Sequence, residues 1–414
     1  MNLDVTALGT FYRMAEEGAG FAAGRLTHMT DIETRVGVTT LHFMRSGELR
    51  RDFAGDNEQI GVHVDLEGAI DGDSIIVFDR EAADRVIDVL LEESGEDIDP
   101  ALRRSAVQEV GGIMNNGFVD GWADVLETAI DVSPPTLIEG SSADPFVDHV
   151  TETPDDDDLV LLFGSAIEAV GTEIGFRHYL FPEHDSMARL LAQLRTGEGI
   201  PFEQLEGFDR MAERGAAEVA KTATTLTGIE TNVEIRRLNF VALEALPEDI
   251  DDEEVIGVAF EFEGTPSGYL LFVFDETSAN DIVNAMIPGD GGPESGAELG
   301  AMGESAIQEL ANIMASGMLD GWANVLDTTI DHSPPELIQD IGPAAIDPLV
   351  IELGEQQDYA FVFDTEVVAD GAAFDCQIYA ITEQDDLERA LRELELDRIE
   401  DAETEATFED IEHP

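Results

Sequence analysis

Apolar positions along this chain follow two periods that alternate in blocks. The stretches "LGTFYRMAEEGAGFAAGRLTH" (8–28) and "RRSAVQEVGGIMNNGFVDGWADVLETAI" (103–130) repeat apolar residues every three or four positions, the period of an α-helix with one buried face. Between and after them, "IGVHVDL" (60–66), "SIIVFD" (74–79), "LVLLFGSAI" (159–167) and "FRHYLF" (176–181) alternate or run continuously apolar, as strands do. Two shorter amphipathic segments, "REAADRVIDVLLEE" (80–93) and "DSMARLLAQLR" (185–195), predict helices that close each block. Long helix, antiparallel strands, short helix, twice in succession, predicts an α+β domain with internal pseudo-twofold symmetry.

The whole pattern then recurs. "FYRMAEEGAGFAAGRLTHMTDIETRV" pairs with "FDRMAERGAAEVAKTATTLTGIETNV" from Phe208, and "IGVHVDLEG" from Ile60 pairs with "IGVAFEFEG" from Ile256. "EVGGIMNNGFVDGWADVLETAIDVSPP" (109–135) returns as "ELANIMASGMLDGWANVLDTTIDHSPP" (309–335), an offset of 200 that holds through Tyr179/Tyr379 and Leu194/Leu394. Two homologous domains are expected: 1–197, then a Gly- and Pro-punctuated linker (198–204, within "RTGEGIPFEQ"), 205–400, and an acidic tail (401–414).

In the second copy of the long helix, Ser305, Glu309 and Asn312 fall within an arc of about 60° at 100° per residue. Ile307, Leu310, Met314, Gly317, Met318 and Val325 fall opposite, and "HSPP" is expected to end the helix because two prolines cannot continue it. A carboxylate and an amide three residues apart share a helix face. The amide both donates and accepts, so it can orient one water, while the acid can meet a cation or polarise a water. The first copy keeps Ser105, Glu109 and Pro135 but has Gly112 where the second has Asn312, a difference read as an exposed position with little effect on packing.

Composition narrows the setting. The chain has 91 acidic and 21 basic residues, formal net charge −70, with Lys221 the only lysine. An apolar content of 43% excludes a disordered acidic chain. An acidic surface nearly free of lysine fits a fold kept in molar salt, where screening shortens to about 3 Å. The same field opposes nucleic acid and anionic membrane. Cys376 stands alone in an apolar strand pattern, which excludes an intrachain disulfide and a Cys-based metal site. No leader sequence or membrane span is expected, and a cytoplasmic location follows. The eight His are scattered, with no His/Asp cluster at ligand spacing, so no metal site is expected; "GDGG" (289–292) reads as a turn. The acidic runs "PDDDD" (154–158) and "PEDIDDEE" (247–254) read as solvated loops.

Ser/Asp, three residues, Glu, two residues, Asn, twenty-two residues and Pro is the signature of the CheC/CheX/FliY chemotaxis phosphatases, and Ser305, Glu309, Asn312 and Pro335 reproduce it. The chain resembles two CheC units in tandem, of haloarchaeal type. That resemblance implies an α+β fold of two CheC-like domains, each a pseudo-twofold antiparallel sheet with long helices packed on it. It implies an aspartyl-phosphate phosphatase acting on phosphorylated CheY, with Asn312 positioning the water, Glu309 docking against the receiver, and Ser305 and Pro335 serving helix start and geometry. The receiver supplies the Mg²⁺, so the chain needs no cofactor of its own. Ser105, Glu109, Gly112 and Pro135 would form a degenerate site that still binds. At the first helix of each domain, Met14 with Glu17 and Met211 with Arg214 take the Glu and Asn positions, which leaves one complete site. The alternative the resemblance admits is a non-catalytic adaptor that binds CheY, CheD or the motor switch.

Overall fold

A computed structural model describes residues 2–3, 5–45, 49–53, 58–91, 99–140, 142–150, 159–169, 175–194, 200–228, 231–249, 254–287, 299–341, 344, 346–354, 356–369 and 375–393. The chain divides into two compact units, residues 2–198 and 199–414. The expected tail (401–414), the runs at 154–158 and 250–253 and the turn at 289–292 lie outside the described residues.

Domain one contains β1 (Asn2–Leu3), α1 (Val5–Thr30), β2 (Thr34–Arg45), α2 (Leu49–Asp52), β3 (Gln59–Gly68), β4 (Gly72–Asp79) and α3 (Arg80–Leu91). Its second half follows with α4 (Pro100–Val125), β5 (Ile130–Val132), β6 (Thr136–Gly140), α5 (Asp144–Val147), β7 (Leu159–Ala169), β8 (Gly175–Pro182) and α6 (His184–Leu194). Domain two runs β9 (Ile200–Pro201), α7 (Phe202–Thr227), β10 (Thr231–Ala242), a 3-10 turn (Leu243–Asp249), β11 (Glu254–Glu263), β12 (Gly268–Asp275) and α8 (Glu276–Met286). It continues with α9 (Gly300–Leu326), β13 (Asp331–His332), β14 (Glu336–Ile341), α10 (Asp347–Gly354), β15 (Tyr359–Ala369), β16 (Asp375–Thr382) and α11 (Gln384–Glu393).

Inside domain one the strands pair antiparallel in the order β2-β7-β8-β4-β3-β6. With the half-repeats called A and B, that order is A-B-B-A-A-B, which returns to itself when the halves are exchanged and the order reversed. Each half therefore places one strand, β2 or β6, beside the other half's hairpin. Domain two repeats the scheme as β10-β15-β16-β12-β11-β14. The expected pseudo-twofold α+β architecture is present in both domains.

Both faces of the sheet are covered, which explains why β4 and β12 are buried along nearly their whole length rather than in alternation. In domain one the helix-side layer joins Ala19, Ala22 and Leu26 of α1 and Val107, Met114 and Phe118 of α4 to Val62, Ile76 and Phe78 of the sheet. The opposite layer packs Phe53 and Phe146 on Ile75, Val77 and Tyr179, with the Phe53 and Phe146 rings stacked 5.4 Å apart. In domain two α10 and the 3-10 turn cover that face through Ile346, Leu349, Leu243 and Leu246. Each fully buried aromatic or leucine contributes about 1.5–3 kcal/mol by leaving water. Gly72 and Gly268 start the matched strands β4 and β12 at φ 150° and 151°, where a Cβ would lie 2.2 Å from Phe181 O and 2.1 Å from Ile381 O. Only glycine fits there.

Two local expectations change. The strands β2, β6, β10 and β14, which come after the long helices and stand at the ends of each domain's own strand order, were not among the strands read from the pattern. The prolines do not end the long helices. Helix α9 stops at Leu326 with Asp327 left-handed (φ 52°), and Glu127 takes the same conformation (φ 50°) just past α4. Ser333 then fastens the extended segment to β11: its amide donates to Glu261 O (2.8 Å) and its hydroxyl accepts from Glu261 N (3.1 Å). Ser133 makes the same pair with Asp65 (3.0 and 2.8 Å). The "SPP" segment is thus a brace that brings Pro135 or Pro335 to its place after the hairpin strand. Cys376 is buried in β16 as a free thiol, as its apolar setting predicts. Among the described residues no helix is long and apolar enough to cross a membrane.

Candidate active site

Helix α9 buries Ile307, Leu310, Ala311, Met314, Met318 and Trp322, and this fixes which face it shows to solvent. Ser305 and Glu309 are exposed and Asn312 is half-buried on that face. Ser305 lies in the second turn rather than at the helix start, since α9 begins at Gly300, and its hydroxyl donates to Ala301 O (2.8 Å). The hydroxyl thus bonds back onto its own helix, and no side chain caps the helix N-terminus. Among the described residues, no hydrogen bond or ion pair involves the Glu309 carboxylate or the Asn312 side-chain amide. Both groups are available to a partner.

The backbone under Asn312 is tied down. Ser316 Oγ lies 2.9 Å from Asn312 O and 2.9 Å from His332 Nε2, while His332 Nδ1 lies 2.9 Å from Ser333 O. A chain of contacts runs from the Asn312 carbonyl through Ser316 and His332 to the brace that carries Pro335. All three contacts can be hydrogen bonds at once only if both imidazole nitrogens carry protons, because Ser316 has one proton to give and Ser333 O only accepts. Ser316 and His332 were not selected from sequence; a Ser four residues after the Asn and a His before "SPP" were the available signals.

Domain one differs by more than one side chain. Glu109 and Ser105 are exposed as in the second copy, but Gly112 is buried rather than exposed. A Cβ added there would stand 2.9 Å from Pro135 Cγ and 3.3 Å from Pro135 Cβ. One residue earlier, a Cβ on Gly111 would meet Val62 Cγ2 at 2.4 Å. The fourth turn of α4 therefore lies close on β3, with Pro135 seated over it, where α9 carries Ala311 and Asn312. Gln108 Nε2 donates to Pro135 O and Asn116 Nδ2 to Gly112 O (2.8 Å), which holds that closed arrangement. The expectation that Gly112 leaves packing unaffected is corrected: the glycine is required by the proline above it.

Nor does the first helix of domain one present both residues assigned to it. Met14 is fully buried and cannot occupy an outward stripe, while Glu17 is exposed. Gly18 meets Phe118 and Gly121, and Gly117 meets Ala22, so residue n of α1 corresponds to n + 99 in α4. By that relation Thr10 and Arg13 stand at the positions of Glu109 and Gly112, and Arg13 Nη2 donates to Thr10 Oγ1 (3.3 Å). The earlier alignment was one helical turn out of phase. The side chains of Met211 and Arg214 lie outside the described set.

Domain one also buries polar groups that domain two lacks. Ser74 Oγ donates to Asn115 Oδ1 (2.7 Å) and lies 2.8 Å from His178 Nε2, and Asn115 Nδ2 donates to Val62 O (3.0 Å). His178 stacks on Phe118 at 3.4 Å, and burial pushes its pKa down to about 3. The repeat puts Leu270, Ala315 and Ile378 at these three places. On the other face of the sheet, His63, Asp65 and Asp73 come together, contrary to the expectation that no His/Asp cluster exists. The signal was "HVD", a His and an Asp on one side of a strand, but the third member comes from across the hairpin.

The sequence model of the CheC-like family matches residues 102–139 and 302–338, the two segments from the long helix through the proline brace. "Putative CheY-P phosphatase CheC1" of Halobacterium salinarum is 38% identical over 186 residues, which covers 44% of this chain and 91% of that protein. "CheY-P phosphatase CheC" of Bacillus subtilis is 26% identical over 174 residues, 41% of this chain and 82% of its own. Among solved structures, Thermotoga maritima FliY covers 47% of this chain and 96% of its own at 18% identity, with a TM-score of 0.40. One relative is thus spanned nearly end to end at 38% identity, and the chain belongs to the CheC-like family.

Proposed function

We propose that this protein stimulates hydrolysis of the aspartyl phosphate on a CheY-type receiver, with α9 of domain two carrying the chemistry. The observation that carries the reading is the pair Glu309 and Asn312, side by side on an exposed helix face, with neither side chain spent on an internal partner. The names of the relatives from Halobacterium salinarum and Bacillus subtilis support the substrate class.

In this reading the phosphorylated aspartate and its Mg²⁺ belong to the receiver. Glu309 contacts the receiver and fixes the approach of the helix. The Asn312 amide holds one water in line with the phosphorus by accepting one of its hydrogens and donating to its oxygen. The water oxygen bonds to phosphorus as the bond from phosphorus to the aspartyl oxygen breaks. The water's proton passes to the departing phosphate, since an amide takes up none. The catalytic gain comes from position alone, as expected where the phosphoryl group does the bond-making and a protein orients the nucleophile. Ser316 and His332 act as positioning residues that hold the turn bearing Asn312.

Domain one has Glu109 exposed and no amide at Gly112, which favours a supporting or receiver-binding role for that half. The test is the decay of phosphorylated CheY from the same organism in molar KCl with Mg²⁺ and a catalytic amount of this protein. Acceleration supports the phosphatase; binding without acceleration supports the adaptor, with CheD and the motor switch as the other partners to assay.

A further inference from the structure

On the sheet face opposite the long helices, domain one brings a histidine and two aspartates to one point. Asp65 of β3 is the direct cross-strand partner of Asp73 of β4, and His63 stands two residues before Asp65 on the same side. His63 Nε2 is 2.7 Å from Asp73 Oδ1 and 4.0 Å from Asp65 Oδ1, and the three donor atoms lie within 4.8 Å of one another. His63 and Asp73 are buried, their side chains 8% and 2% exposed, while Asp65 is 58% exposed.

The sheet does not need polar groups here. The repeat places Ala259 and Tyr269 at the positions of His63 and Asp73, keeping only Glu261 at that of Asp65. Burying a carboxylate and an imidazole together costs several kcal/mol per charge unless the charges are compensated. One carboxylate lies buried against the imidazole and a second opens to water, in a chain of net charge −70, a setting that attracts a cation. Asp65, the exposed member of the three, also lines an acidic cleft of about 690 Å³ with Glu67, Asp71, Asp131, Ser133 and Glu183. The His149 ring packs edge-on against that of His63, centroids 5.5 Å apart, and its Nδ1 is 2.7 Å from Pro145 O.

We propose that His63, Asp65 and Asp73 form a divalent transition-metal site confined to domain one, with Zn²⁺ as the fitting ion. A tetrahedral ion at about 2.0–2.2 Å from each ligand sets ligands about 3.4 Å apart, a value between the two separations observed. The mixed nitrogen and carboxylate set selects zinc-like ions over Mg²⁺ and Ca²⁺, which favour all-oxygen cages. The site is separate from the Glu309 and Asn312 pair, which lies in the other domain, and takes no part in the proposed hydrolysis.

The experiment is calorimetric titration of Zn²⁺ into the full-length protein, stripped with EDTA, in 2 M KCl at pH 7.5 with excess Mg²⁺. One tight site per chain is expected. His63→Ala should abolish it, and Asp65→Asn, an exposed change that the fold tolerates, should weaken it about tenfold or more. Loading with Co²⁺ should give visible absorption bands in the wild type that both variants lose. Absence of a one-to-one site, displacement by Mg²⁺, or binding that both variants retain would overturn the assignment and make the acidic surface the binder.

Discussion

Pro135 sits on Gly112: a methyl group added to that glycine would stand 2.9 Å from the ring's Cγ. The same two positions in the second domain hold Pro335 and a half-buried Asn312. The difference between the copies is therefore a pair of packing states. A contact below 3 Å forces the brace or the helix to shift, and overpacking of this kind costs about 1–3 kcal/mol. Gly112→Asn should lower the stability of domain one by about that much and restore no hydrolysis, because Val62 beneath Gly111 prevents the turn from receding. Urea melts followed by Trp122 fluorescence, beside decay assays in an Asn312→Ala background, would check both halves of this expectation.

The positioning chain gives a second expectation. Domain one carries Asn116 and Val132 where domain two carries Ser316 and His332. His332→Val or Ser316→Ala should slow receiver dephosphorylation about tenfold, or about 1.4 kcal/mol in the barrier, without abolishing it. Receiver affinity should be unchanged, because both side chains act through the backbone that carries Asn312. A fall in affinity with kcat preserved would assign these residues to docking instead.

His178 predicts acid sensitivity of domain one. Its folded pKa, about 3, is below the ordinary 6.5 because burial disfavours the charged ring. The unfolded chain therefore binds a proton below about pH 6 that the folded chain does not, so stability falls as pH drops from about 6 toward 3. The slope from this one group approaches about 1.4 kcal/mol per pH unit. The two tryptophans, Trp122 and Trp322, lie in different domains, so a Trp322→Phe protein reports domain one alone. Replacing Ser74, Asn115 and His178 together with the Leu, Ala and Ile of domain two should flatten the slope of its urea midpoint between pH 6 and 4.5. An unchanged slope would place the acid response in the carboxylates.

Salt is the fourth lever. With 91 acidic and 21 basic residues, self-repulsion is the dominant unfavourable field in dilute buffer. Screening over about 3 Å at 1 M, against about 10 Å at 0.1 M, removes most of it. The melting temperature should rise steeply between 0.1 and 1 M KCl, and MgCl₂ should act at lower concentration.

The periodic pattern revealed the long helices, the β3–β4 and β7–β8 hairpins and the closing helices, because each buries a face whose spacing is written in adjacent residues. It did not reveal β2 or β6, which pair with strands more than seventy residues away. It placed Glu309 and Asn312 on one outward stripe, and the structure agrees. It misjudged Gly112, whose burial depends on a proline twenty-three residues later, and Met14, whose helix was read one turn out of phase. His63 and Asp73 meet only through hairpin register, which no local spacing displays.

The most direct measurement is the first-order decay of phosphorylated CheY in molar KCl with Mg²⁺, timed with wild type and with Asn312→Ala at equal receiver occupancy. The account predicts clear acceleration by wild type and a loss of about a hundredfold in the variant, with unchanged melting temperature and receiver affinity. A variant as fast as wild type would contradict the assignment of the water to Asn312, and a wild type without effect would contradict the phosphatase itself.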